Sequence, residues 1–131
     1  PEAVVIGSDQ VAAAGEQILD KPGSAERARR QLALLSGTRA AFHTACTIVG
    51  PDGFRADHID DTRVSFRPLG AEEIDRYVAR EQPFDCAGGF KVEGLGIALF
   101  DRIDSADPTA LIGLPLIWVA AILRGLAHAV P

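Results

Sequence analysis

The sequence has only two cysteines, and it lacks any uncharged run long enough to cross a membrane. Cys46 and Cys86 lie far apart and form no CxxC motif, which argues against a disulfide framework or a zinc site. The longest uncharged run, from Pro108 to Leu123, is shorter than the roughly 20 residues of a membrane-spanning helix. Residues 1–6 lack the basic start and apolar core of a signal peptide. We therefore predict a cytoplasmic location without membrane contact.

Positive charge is also scarce, because the net charge is -5. Proteins that bind a nucleic acid polymer present a basic face that displaces counterions, and this composition argues against that class. A small anionic ligand stays open, since a few converging cations and a metal ion are enough to hold it. The chain is 47% hydrophobic and 24% charged, which is typical of a folded globular domain rather than a disordered chain.

Turn and cap signals divide the chain into short strands and helices. A helix is predicted from the N-cap candidate Ser24 to Leu35, with Gly37 as its left-handed cap. The other predicted elements are bounded mainly by glycine or proline: strands Ala3–Ile6, Thr38–Val49, Phe54–Phe66 and Ile97–Phe100, a hairpin within 11–19, and helices Ala71–Arg80 and Leu116–Leu126. This order predicts an α/β fold, a mixed α+β sheet with flanking helices, in one domain spanning residues 1–131.

The second of the long strands is expected to turn one face toward the core. We predict that Ile59, Val64 and Phe66 point inward and that His58, which lies among acidic residues, is exposed. The acidic stretch of Asp101, Asp104 and Asp107 is expected to be a solvated loop, as most such runs are, with metal binding as the alternative.

Asp9 is the first candidate for chemistry. It comes just after the predicted strand, one step beyond Gly7 and Ser8. Ligands of α/β sheets bind outside the carboxyl ends of strands, and an acid there can hold Mg²⁺ or orient a water for attack. The alternative is that Asp9 only caps a turn, a common role for aspartate.

Two further segments carry cations near helix or loop boundaries. Lys21 precedes Pro22 and the predicted helix, and a lysine near a helix N-terminus suits phosphate oxygens. Lys91 and Glu93 lie in a glycine-rich segment and share a face if that segment is extended. The alternatives are a solvated surface lysine and a glycine loop with a local ion pair.

Motifs spread along almost the whole chain identify a family resemblance. They are GSDQV at 7–11, DKP at 20–22, LSG at 35–37, TRVSFRPL at 62–69, EIDRYV at 73–78, PFDCAGGFKVEGLG at 83–96 and DPTALIGLPL at 107–116. Together and in this order they resemble the Maf family of nucleoside triphosphate pyrophosphatases. The SDQ, FK-EG and DPTALIGLPL forms are similar to the 7-methyl-GTP pyrophosphatase branch rather than the dTTP/UTP branch.

The resemblance implies a Maf/inosine-triphosphatase-like fold and assigns roles to six residues. Asp9 would be the catalytic acid–base residue, and Lys21 and Lys91 would contact the triphosphate. Ser8 would also bind the substrate, and two residues would occupy the positions tied to base preference: Gln10 and Glu93. The reaction would release pyrophosphate from a nucleoside triphosphate with the help of Mg²⁺ or Mn²⁺, whose protein ligands stay unassigned.

One family feature is missing from this sequence. Maf proteins open with a strand and an SSSPRR-like loop that supplies an arginine to the phosphates, and no such loop occurs in these residues. We therefore expect a Maf domain that is truncated at its N-terminus, and we do not predict catalytic activity for this polypeptide by itself. Two alternatives stay open: the same chemistry on dTTP, UTP or a modified pyrimidine nucleotide, and a catalytically incomplete regulatory domain, since Maf proteins are also named septum-formation inhibitors.

The last predicted helix is apolar on more than one face. Its apolar side chains are Leu116, Ile117, Trp118, Val119, Ile122 and Leu123. Such a surface indicates either a homodimer or contact with a segment N-terminal to this sequence.

Overall fold

The computed structural model describes residues 3–86, 90 and 92–131. Its regular elements are β1 (Val5–Ala14), β2 (Gln17–Leu19), α1 (Ala25–Leu35), β3 (Arg39–Val49), β4 (Arg55–Phe66), α2 (Ala71–Glu81), β5 (Phe100–Ser105) and α3 (Leu116–Gly125). Short 3₁₀ turns lie at Pro51–Gly53, Leu95–Leu99 and Ala110–Ile112. The strands form one sheet in the order β2-β1-β3-β4-β5, so the predicted α/β class is confirmed. Within the described residues, no helix is both long and apolar enough to cross a membrane.

Helix α1 begins and ends where its sequence signals predict. Ser24 is extended and its side chain accepts a hydrogen bond from the Arg27 N–H, which satisfies one of the unpaired donors of the first turn. Gly37 adopts φ +66° just past the helix, a conformation that glycine reaches without the steric penalty of a Cβ atom.

The hairpins are also confirmed. Strands β1 and β2 pair antiparallel around a turn at Gly15-Glu16, with Ala14 opposite Gln17. Strands β3 and β4 connect through Pro51–Gly53. Their side chains show the register, since His43 contacts Asp61 and Thr47 contacts Asp57. A step of four residues forward on β3 moves the partner four residues back on β4, as in an antiparallel pair.

Strand β4 corrects two predicted orientations. Val64 and Phe66 are buried, but Ile59 is 68% exposed, and the prediction that it points inward is wrong. Side chains of a strand alternate between faces, so Ile59 cannot share a face with two even-numbered residues. His58 does share their face and is half-buried, so the prediction that it is exposed is also wrong.

The predicted strand Ile97–Phe100 is wrong as well. Residues Leu95–Leu99 form a 3₁₀ helix in which Gly96 and Leu99 are buried, the three-residue spacing that brings side chains into line in this helix type. The strand instead runs through Phe100–Ser105 and includes Asp101 and Asp104, which were predicted to lie in a loop. A short apolar run does not distinguish a strand from a helix. The charged residues Asp101, Arg102 and Asp104 interrupt the apolar pattern from which the strand Phe100–Ser105 could have been predicted.

The chain forms two compact units, one of residues 1–10, 43–62 and 105–131 and the other of residues 11–42 and 63–104. The first unit has a core of Cys46, Ile48 and Val119. In the second, α1 packs on α2, and four phenylalanines meet edge to face: Phe42, Phe66, Phe90 and Phe100. Edge-to-face geometry places the positive ring edge on the negative ring face and adds to the stabilisation from burial. The prediction of one domain over residues 1–131 stays a prediction.

A candidate active site on strand β1

Asp9 lies inside β1 rather than beyond its end. The strand continues through Gly7, which does not have a positive φ, so the predicted end of this strand at Ile6 is wrong. Glycine permits a turn but does not require one, and here backbone pairing with β3 keeps the strand extended. The Asp9 side chain is exposed, and its Oδ1 accepts a hydrogen bond from the Gln10 N–H at 2.9 Å.

An open groove adjoins this carboxylate. Its volume is about 280 Å³ and it is lined by Gly7, Ser8, Asp9, Ala45 and Thr47, all within the first unit. Pockets that enclose a whole drug-sized ligand typically measure roughly 300–1,000 Å³. The groove is therefore large enough for part of a nucleotide, such as its phosphate end.

A second carboxylate is bonded to the groove wall. The Thr47 hydroxyl donates to Asp57 Oδ1 at 2.5 Å, and Arg55 donates to the same carboxylate at 3.1 and 3.2 Å. The hydrogen bond from Arg55, followed by that from Thr47, lowers the pKa of Asp57. Asp57 is therefore ionised at neutral pH, and the Arg55 guanidinium, which forms an ion pair with it, balances its charge.

The side chains on either side of Asp9 are bonded to the segment 110–113. Ser8 Oγ donates to the Gly113 carbonyl at 2.6 Å. Gln10 Nε2 lies 3.0 Å from Thr44 Oγ1 and 3.2 Å from the carbonyl oxygens of Ala110 and Leu111. Since neighbouring residues of a strand point to opposite faces, the Gln10 side chain is directed away from that of Asp9.

Asp107 organises the loop that follows β5. This buried carboxylate accepts hydrogen bonds from the Thr109 hydroxyl at 2.5 Å and from the N–H groups of Thr109 and Ile117 at 2.9 Å each. Burial raises the pKa of Asp107, but the hydrogen bonds from Thr109 and Ile117 and the charge of His58 outweigh it and leave the pKa below its usual value. The DPTALIGLPL motif thus has a structural role, because it fixes the carbonyl groups that Ser8 and Gln10 reach.

His58 belongs to the same unit and supports α3. Its ring stacks on Trp118 with centroids 5.0 Å apart and an angle of 13° between planes. Its Nε2 lies 3.2 Å from Asp60 Oδ2, and Asp60 is itself buried. His58, Val64 and Phe66 all have even numbers in one strand, and side chains two residues apart in a strand lie on the same face. This spacing could have predicted the inward position of His58.

The remaining predicted site residues belong to the second unit. Lys21 is exposed between β2 and α1. Glu93 is exposed in a turn at 92–94, so the assumption of an extended segment is wrong there. Lys91 lies outside the described residues. Buried Phe90 packs among the other phenylalanines and fixes one point of this glycine-rich segment.

Metal-binding groups are sparse in the part of the chain that the structure describes. No cluster of three or more His, Cys, Asp or Glu side chains is arranged there to hold a metal ion. Mg²⁺ does not need such a cage, since it is commonly held by one or two carboxylates together with substrate phosphates. The exposed carboxylate of Asp9 fits that mode of binding.

Comparisons with known proteins agree with the sequence motifs. A protein of Xanthomonas campestris pv. campestris strain 8004, named 7-methyl-GTP pyrophosphatase, is 56% identical over 131 residues, which are all of this chain and 68% of the relative. Proteins of the same name from Xanthomonas axonopodis pv. citri strain 306 and Alkalilimnicola ehrlichii are 54% and 55% identical. The alignment with the Xanthomonas axonopodis protein covers all of this chain and 68% of that relative. The alignment with the Alkalilimnicola ehrlichii protein covers 89% of this chain and 59% of that relative.

The family model described as Maf-like protein matches residues 1–126. That range includes each motif on which the resemblance was based, and the predicted resemblance is confirmed. The chain belongs to the Maf-like protein family.

Proposed function

We propose that this chain is a nucleoside triphosphate pyrophosphatase whose preferred substrate is a GTP-type nucleotide methylated at N7. The observation that carries the proposal is the name 7-methyl-GTP pyrophosphatase on a relative that is 56% identical along the whole chain. The exposed Asp9 carboxylate beside an open groove supports it, because hydrolysis requires a group that can accept a proton from water.

In the proposed reaction, Asp9 orients a water molecule and accepts its proton. The water oxygen forms a bond to the α-phosphorus, and the bond from that phosphorus to the bridging oxygen of the β-phosphate breaks. The electron pair leaves with pyrophosphate, and the nucleoside monophosphate is the second product. Positioned proton transfer of this kind contributes roughly 10²–10⁴-fold to the rate.

Charge decides which residues would meet the phosphates. Lys21 is exposed and makes no ion pair with the described residues, so its ammonium group is available for a phosphate oxygen. We assign the same role to Lys91. We propose that Glu93 accepts hydrogen bonds from the N–H groups of a purine, because an ionised acceptor makes the stronger hydrogen bond.

A divalent cation, Mg²⁺ or Mn²⁺, would bind at Asp9 together with the substrate phosphates. When bound, it would neutralise phosphate charge and polarise the α-phosphoryl group.

Two further proposals concern the setting of the protein. The buried thiol of Cys46 is in keeping with the reducing cytoplasm.

Exposed Leu116 and Ile117 at the start of α3 support a homodimer. Sedimentation of the wild-type chain and of Ile117→Glu tests the dimer, which is refuted if both sediment as monomers at the same concentration.

The experiment for the main proposal is a pyrophosphate-release assay on 7-methyl-GTP, GTP, dTTP and UTP with Mg²⁺. We expect the wild type to have its highest kcat/KM on 7-methyl-GTP. In Glu93→Gln, we expect the ratio of kcat/KM for 7-methyl-GTP to that for UTP to fall about tenfold, because one charged hydrogen bond to the base is lost. A preference for UTP or dTTP in the wild type would contradict the proposed substrate. Binding of nucleotides without turnover would contradict the proposed activity and favour a regulatory domain.

A further inference from the structure

A small pocket in the second unit has a charge opposite in sign to that of the chain. It lies between α2 and the 3₁₀ segment Leu95–Leu99, and its volume is about 170 Å³. All of its lining residues fall within 67–99 and therefore within the second unit. The charged ones are Arg67, Glu73, Arg76 and Arg80. Three arginines and one glutamate give a formal charge of +2, whereas the chain as a whole carries -5.

Two of these charges balance each other. Arg67 and Glu73 form an ion pair at 2.6 Å, and Arg67 Nε also donates to the Ala98 carbonyl at 2.7 Å. The hydrogen bond from Arg67, followed by that from the Gly70 N–H, lowers the pKa of Glu73. Glu73 is therefore ionised at neutral pH and paired, and the Arg67 side chain is held in one position.

The other two arginines have no such partner. Arg76 and Arg80 are four residues apart on α2, a spacing that places both side chains on one side of the helix. Both are exposed, and neither makes a hydrogen bond or an ion pair with the described residues. The neighbouring carboxylate of Glu81 accepts a hydrogen bond from the Leu95 N–H. Two guanidinium groups beside the pocket are thus available to a ligand.

The size and charge of the pocket indicate the class of ligand. A pocket that encloses a whole drug-sized molecule measures roughly 300–1,000 Å³, so this one fits a single group. A phosphate group carries a charge of about -1.5 to -2 near neutral pH and offers three acceptor oxygens, which matches two guanidinium forks. Tyr77 and Leu99, which also line the pocket, are buried. Their low-dielectric surroundings strengthen a charged hydrogen bond.

We propose that Arg76 and Arg80 form an anion site for a dianionic phosphate group, with Arg67 as its fixed wall. The group would belong to inorganic phosphate or to a nucleoside monophosphate. The site uses none of the residues assigned above to the triphosphate or to water activation, and the inference does not depend on the proposed hydrolysis. Because both arginines are exposed, binding should weaken as salt is added.

The test is a titration of the ¹⁵N-labelled chain with sodium phosphate at constant ionic strength, without a divalent metal ion, followed by ¹H–¹⁵N NMR. We expect saturable shifts of the amides at 76–80 and 95–99, with a Kd on the order of 1 mM. A parallel titration with GMP separates the two sources of the phosphate group. A Kd for GMP well below that for inorganic phosphate would assign the site to a nucleotide, and equal values would assign it to phosphate alone.

A matched pair of double variants locates the binding. Arg76→Gln/Arg80→Gln should weaken phosphate binding by at least about tenfold, because two charged donors are lost. Arg27→Gln/Arg63→Gln removes the same charge from two exposed arginines of the same unit outside the lining of this pocket, and its Kd should stay within about twofold of the wild type. Glutamine is a good helix former, and circular dichroism checks that both variants are folded.

Three results would overturn the inference. They are an unchanged Kd in Arg76→Gln/Arg80→Gln, an equal loss in the control variant, and shifts confined to the amides around Asp9 and Lys21, which would place the anion at the proposed active site instead. The pyrophosphate-release assay tests the proposed function separately, because its outcome does not change the expected phosphate titration.

Discussion

The buried carboxylate of Asp107 allows a sharp prediction about stability. Asp107→Ala deprives the N–H groups of Thr109 and Ile117 and the Thr109 hydroxyl of their acceptor. These three hydrogen bonds are part-buried and their acceptor, Asp107, is 3% exposed. A hydrogen bond to a charged group contributes about 1.5–3 kcal/mol. The Thr109 hydroxyl can rotate to another acceptor, whereas the two N–H groups cannot. We therefore expect a loss of about 3–5 kcal/mol in the free energy of unfolding.

The expected loss converts to a change in melting temperature. The unfolding entropy of globular proteins is about 2.1 cal/mol/K per residue, which for 131 residues gives about 0.28 kcal/mol/K. A loss of about 4 kcal/mol then lowers Tm by roughly 15 °C. Differential scanning calorimetry measures this directly. A Tm within about 3 °C of the wild type would refute the reasoning, because the three hydrogen bonds would then carry no net stabilisation.

The pH dependence of the same residue provides an independent check. The pKa of Asp107 is lowered in the folded protein: burial raises it, but the hydrogen bonds from Thr109 and Ile117 more than compensate. A lowered pKa means that the carboxylate stabilises the fold above its unfolded pKa of about 3.9, and that this stabilisation is lost as the pH falls through the folded value. Urea unfolding should thus show a gap between wild type and Asp107→Asn that is largest near neutral pH and shrinks in acid. A gap that does not change with pH would contradict the assignment.

The remaining predictions use matched pairs of variants measured by urea unfolding. On strand β4, Val64→Ala should cost about 2–3 kcal/mol through a cavity, whereas Ile59→Ala, at a position 68% exposed, should stay within about 0.5 kcal/mol; equal effects would contradict the register. Gly37→Ala should destabilise by about 1 kcal/mol because its φ is +66° with open space around the Cβ position. Gly125→Ala, also in open space but at the end of α3 without a positive φ, should be neutral or stabilise by up to about 1 kcal/mol, and a loss equal to that of Gly37→Ala would contradict the conformational argument.

Local signals predicted the parts of the fold that depend on local chemistry. Helix α1 followed from Ser24 and Gly37, whose cap and left-handed conformation arise from interactions within a few residues. The long hairpin followed from the turn residues at 50–53, where Asp52 adopts φ 60°, a conformation that aspartate tolerates better than most residues.

Tertiary pairing decided the parts that the sequence did not predict. Strand β1 continues past Gly7 because it pairs with β3, and Ser8 and Gln10 also bond to residues about 100 positions away. No local pattern reports such distant partners. Asp9 was recognised as a candidate, but its place within a strand, with Gln10 on the opposite face, required the structure. Thr44 carried no signal at all, since a threonine in a strand is ordinary on grounds of propensity alone.

The measurement that tests the central claim most directly is pyrophosphate release from 7-methyl-GTP by the wild type, Asp9→Asn and Asp52→Asn. The two variants lose the same charge, but Asp9 lines the groove, whereas Asp52 is exposed in the β3–β4 turn. If Asp9 accepts the proton of the attacking water, Asp9→Asn should lose about 10²–10⁴-fold in kcat and Asp52→Asn should match the wild type. An Asp9→Asn variant that retains wild-type turnover would contradict the account.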